Sequence, residues 1–131
     1  MRQEMQQEVS ELELARKLAE ELGIVVRSSD LIDALKAFVD EDDVDVVKRA
    51  LEKSGRLVVL HESSDEDVVA IVPCELSERD RVALNYLADL YSRAEFMIAT
   101  QRLEIDVLDA IEQAVDALVR VACMESLRSN K

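Results

Sequence analysis

The hydrophobic positions of this chain change period from one stretch to the next. Leu14, Ala15, Leu18, Ala19 and Leu22 recur at helical spacing, which predicts one apolar helix face. Ser10 with Glu13 reads as a capping box at its start, Met5 and Val9 extend the same face backwards as two further turns or a frayed tail, and Gly23 ends it. "IVVR" (24–27) then suits one short strand. Leu31, Ile32, Ala34, Leu35, Phe38 and Val39 leave only a narrow polar edge, predicting a largely buried helix capped by Ser29 or Asp30. After the acidic run 40–45, Asp42 caps a third helix with Val44, Val47, Ala50 and Leu51 inward, closed by Ser54-Gly55.

The period then shortens. Leu57–Leu60 and Val68–Val72 flank a polar turn and read as a β-hairpin ended by Pro73. Both alternations are apolar, so each face of the hairpin needs cover, one from helices and the other from more helix or a second subunit. From Ser77, an N-cap with Asp80 three residues on, no Gly or Pro interrupts the chain. Leu87, Ala94, Gln101, Leu108, Val115 and Ala122 stand seven apart, with Leu90, Met97, Glu104, Ile111 and Leu118 as the companion row. The preferred reading is an antiparallel helical pair broken near Thr100–Glu104, which buries both apolar faces within one chain. The other is one dimerising helix of roughly 50 residues, about 75 Å long.

The order helix, strand, helix, helix, strand, turn, strand over about residues 10–73 resembles a winged-helix domain. The resemblance lies in element order and not in a residue motif. The expected fold is mainly α with a small antiparallel β-hairpin: a winged-helix-like domain over 1–74, then two long C-terminal helices over 75–131. Such a fold serves DNA readers and protein-binding modules alike.

Charge separates those two uses. The chain holds 29 acidic and 16 basic residues, net −13. Residues 1–74 alone carry 9 basic and 18 acidic residues, net −9, against net −4 for residues 75–131. Duplex DNA is bound chiefly through Lys and Arg on phosphates, so this balance opposes it and favours basic protein partners or plain solubility. Glu62, Asp65, Glu66 and Asp67 at the hairpin tip point the same way. Aromatic residues are 3% of the chain and Trp is absent, which argues against surfaces that stack on bases.

Candidate chemistry is sparse. The third helix offers Lys48, Arg49, Lys53 and Arg56 to phosphates if the chain reads DNA, yet its N-terminal end, which enters the groove in such readers, carries Asp42, Asp43 and Asp45. Those cations also suit ion pairs along the helix, Asp45 with Lys48 or Arg49 and Arg49 with Glu52. A second helix-turn-helix register, resembling that motif through Ala19 four before Gly23, has a turn about three residues too long. The acidic run 40–45 lacks the EF-hand Gly and Glu, since its sixth residue is Asp45 and its twelfth Leu51. His61 is the only histidine and reads as a surface or half-buried side chain at a strand end; Asp106, Asp109 and Glu112 read as a solvated helix edge. No catalytic, cofactor or metal site is predicted. Cys74 and Cys123 have no C-x-x-C spacing, and two reduced thiols in the cytoplasm are expected. No apolar run is long enough for a membrane span, and few Asn and Gln beside abundant Glu, Arg and Val lean towards a thermophile.

The expectation is therefore a non-enzymatic protein-interaction or assembly module of a cytoplasmic, thermophilic prokaryotic protein. It is expected to be a homodimer through Leu87, Leu90, Ala94, Met97, Leu108, Ile111, Val115 and Leu118, with a basic protein as a further partner class. The alternative is a DNA-binding winged-helix regulator dimerising through the same helices. An enzyme or small-molecule binder with a pocket among the long helices is a third reading.

Overall fold

The computed structural model describes residues 2–62, 66–100, 104 and 106–129, with side chains over 11–62, 66–100, 104 and 106–124. The side chains of Met5, Val9 and Ser10, and residues Asp65 and Gln101, lie outside the described residues. Helix α1 (Arg2–Leu22) runs through Ser10 without starting there. It ends where Gly23, at φ +93°, donates its N–H to the Ala19 carbonyl at 2.8 Å, a left-handed cap that costs glycine no Cβ clash. Strand β1 (Val25–Arg27), helix α2 (Ser28–Leu35), a 3₁₀ turn (Glu41–Asp43) and helix α3 (Val44–Lys53) follow. Asp42 is not the cap of α3, because the 3₁₀ turn feeds directly into that helix.

Strands β2 (Leu57–His61) and β3 (Val68–Ile71) form the hairpin, and β1 pairs antiparallel with β3, giving the sheet order β1-β3-β2. The order of elements is winged-helix-like. All four residues of the central strand are buried. Val69 and Ile71 pack with Leu18, Leu31, Leu35 and Leu51 on the side of α1–α3. Val68 and Ala70 face the opposite way, into a core with Leu84, Tyr91, Ile111 and Val115. That second cover is the helical pair of the same chain, α4 (Glu78–Ala99) and α5 (Asp106–Ser129), which pack on each other, with α4 on β2 and α5 on β1. Ser77 caps α4 by accepting the Asp80 N–H at 3.2 Å, as its sequence predicts. No described helix is long and apolar enough to cross a membrane.

One expectation fails here. Cys74 and Cys123 are not separate thiols but form a disulfide, with Cα atoms 5.5 Å apart. The physical reason is the reversal of the helical pair: α4 carries the chain about 33 Å from the sheet exit and α5 brings it back by a similar length. Residues 49 apart in sequence thus meet beside the end of β3. In the chain-entropy picture a cross-link spanning such a loop restricts the unfolded state by about 4 kcal/mol. A Cys74→Ser/Cys123→Ser double variant should therefore lose about 2–4 kcal/mol in a urea titration, and reductant should shift the parent protein towards it while leaving the variant unmoved.

Candidate functional site

Residues directly opposite in an antiparallel sheet share a face, and the register places Arg27, Val68 and His61 in one row. His61 reaches that row through a β-bulge. Pairing steps from Val59↔Val69 to His61↔Val68, leaving Leu60 as an extra residue. Strict alternation would put His61 on the α1–α3 face, but the extra residue turns it towards α4. The Leu60 carbonyl accepts a hydrogen bond from Ser92 Oγ of α4 at 2.8 Å.

Above the row, α4 supplies Tyr91 and Glu95, one turn apart, and α5 supplies Asp109 and Glu112. Together with Glu66 they line a hollow of about 250 Å³ at the wing end of the sheet. Tyr91 Oη donates to Glu112 Oε2 at 2.7 Å, Arg27 Nη2 meets the same oxygen at 3.4 Å, and His61 Nε2 lies 3.1 Å from Glu95 Oε2. Burial, then the hydrogen bond and negative charge of Glu112, raises the Tyr91 phenol well above its ordinary value near 10. Glu112, expected on a solvated edge, instead points inward as the shared acceptor of a sheet residue and a buried tyrosine. The half-buried reading of His61 agrees with its 25% side-chain exposure. The pairing of His61 with Glu95 was missed because nothing in an alternating strand signals a bulge.

The acidic wing has an internal use. Glu66 accepts from the backbone N–H of Ser29 at 3.2 Å and from the Ser29 hydroxyl, and Ser28 and Asp67 exchange two further bonds. Arg27, the residue that precedes α2, gives it no side-chain cap, and the expected caps Ser29 and Asp30 lie inside the helix. A carboxylate from the wing base takes that place, where the positive end of the helix favours it.

The cations expected on phosphates are scattered. Lys48 Nζ pairs with Glu52 at 3.8 Å, in place of the expected Asp45 partner, while Arg49 and Lys53 are exposed. Arg56 is 7% exposed: Nη1 donates to the Cys74 carbonyl at 2.6 Å and Nη2 to the Glu75 carboxylate. It clamps the strand exit and does not face solvent. Ahead of α3, Glu41, Asp42 and Asp43 are all exposed, and so is Asp45.

The residues proposed for an oligomer interface divide into two groups. Ala94, Leu108, Ile111 and Val115 are buried in the core under the sheet, and Leu87 and Leu118 pack partly buried against it. Leu90 and Met97 remain exposed, on the outer side of α4 with Val82 and Tyr86. Among the described residues, no group of three His, Cys, Asp or Glu side chains is placed to hold a metal ion. A second hollow of about 420 Å³ lies between α1 and α5 beside the disulfide, walled by Ala19, Ile24, Pro73 and Met124.

No protein-family model, curated protein or solved structure matches this chain.

Because Tyr91 is held protonated in the folded state and titrates near 10 when unfolded, its contribution is intact below about pH 10 and lost as pH rises above it. Urea midpoints at about pH 8 and pH 10.5 should fall more steeply for the parent protein than for Tyr91→Phe. That variant should also lose about 1 kcal/mol at neutral pH. Equal slopes would show that the phenol is not held protonated by its burial and its bond to Glu112.

Proposed function

We propose that this chain is a non-enzymatic protein-interaction or assembly module, of a cytoplasmic, thermophilic prokaryotic protein, built on a winged-helix-like frame. The observation that carries the reading is the outer side of α4. Val82, Tyr86, Leu90 and Met97 lie there exposed, on a helix whose opposite side already fills the core with Leu84, Tyr91 and Ala94. A helix apolar on two sides has one side left over for a partner. In the hollow at the wing end, the polar groups Tyr91, Glu112, Arg27, His61 and Glu95 are engaged with one another, which fits a structural lock better than a reacting site. A lasting disulfide fits the cytoplasmic reading through the thermophilic one, since intracellular proteins of hyperthermophiles keep such bonds.

The competing regulator reading would rest on Lys48, Arg49 and Lys53, with Arg56 withdrawn into the fold and four carboxylates at or just before the start of α3. Fluorescence anisotropy against mixed-sequence duplex DNA decides between them. The expected result is no binding even at low salt. Binding that weakens steeply with salt, and that Lys48→Glu/Arg49→Glu abolishes, would replace this reading with the regulator.

A further inference from the structure

The geometry points to a second copy of this chain as the occupant of the outer side of α4, forming a two-fold dimer; this rests on the interaction-module reading. Val82, Tyr86 and Leu90 follow one another at four-residue steps, and Met97 stands seven beyond Leu90, so they form a single stripe along the helix. Val82 and Tyr86 are 62% and 67% exposed, and Phe96 at the stripe's edge is 71% exposed. These are large side chains to leave in water on the outside of a helix whose core contacts are complete.

Charge selects the partner. The chain as a whole is −13, so two copies approaching through most faces repel. The stripe is different: its charged residues are Glu78, Arg79, Asp89 and Arg93, two of each sign. Arg93 Nε is already tied to Asp89 Oδ2 at 3.1 Å. A basic protein, drawn by the overall charge, finds no excess of acid here. A surface that is itself apolar and neutral meets neither repulsion nor an unpaired charge, and another α4 is such a surface. An isologous contact through one helix brings the stripe against itself, which a closed dimer requires. A helix of 22 residues is about 33 Å long. A contact along one such helix is a small interface, of the kind that associates reversibly.

Sedimentation velocity on the full chain, from about 1 to about 200 μM, should show a monomer–dimer equilibrium. Added salt should strengthen it, because salt screens the repulsion between two −13 subunits while the stripe loses nothing. Val82→Glu/Tyr86→Glu should weaken association by at least tenfold with an unchanged circular dichroism spectrum. Val46→Glu, at a residue 64% exposed on α3, should leave it intact. A monomer throughout the range at high salt would overturn the proposal. So would a dimer that the α4 variant leaves intact, or one that Val46→Glu breaks. A monomeric protein that binds no DNA would leave the interaction-module reading standing with a different partner, whereas DNA binding would remove that reading whatever the oligomeric state.

Discussion

The fold depends on the burial of one four-residue strand from both sides. Val68–Ile71 has no polar side chain and lies between two neighbouring strands, so neither of its faces can meet water without loss of apolar burial. The α1–α3 layer covers one. The other would be a large open apolar surface if the winged-helix-like part ended at the hairpin. The helical pair exists against that surface, and its position there brings Cys123 to Cys74, Glu112 over Arg27, and Glu95 to His61. These contacts between the sheet and the two helices follow from covering that strand.

Much of the architecture was legible because it is written in periods. Apolar residues on both alternations of the hairpin demanded cover on both faces, and the long unbroken repeat after Ser77 allowed it to come from a returning helix. The preference for return over extension rested on burying both apolar faces within one chain, and α4 does end at Ala99 with α5 starting at Asp106. Local caps were less legible: Asp42 had the right chemistry for an N-cap, but a 3₁₀ turn occupied the place. Glu66 caps α2 from 37 residues away, a relation that spacing cannot express.

The site was the least legible part. Half of its geometry rests on one extra residue at Leu60, which reverses the facing of His61 without any Gly to mark it. Glu112 looked like part of a solvated edge because its neighbours Asp106 and Asp109 are acidic; its partners are a strand residue and a tyrosine far off in sequence. Arg56 was grouped with the cations of α3 by proximity along the chain, whereas Gly55, at φ +81°, turns it into the strand exit. The acidity at the wing base likewise belongs partly to the interior economy of the fold. The net charge still argues about partners, but not every carboxylate contributes to that argument.

The disulfide also changes what kind of object the chain is. Joining residues 74 and 123 makes a covalent ring that holds the whole of α4 and most of α5, with the winged-helix-like part attached as a tail. A break of the backbone anywhere between those residues would open the ring without dividing the molecule. After a break between α4 and α5, α4 would stay joined to the sheet through the backbone and α5 through the disulfide, so that reduction would leave α5 held by packing alone.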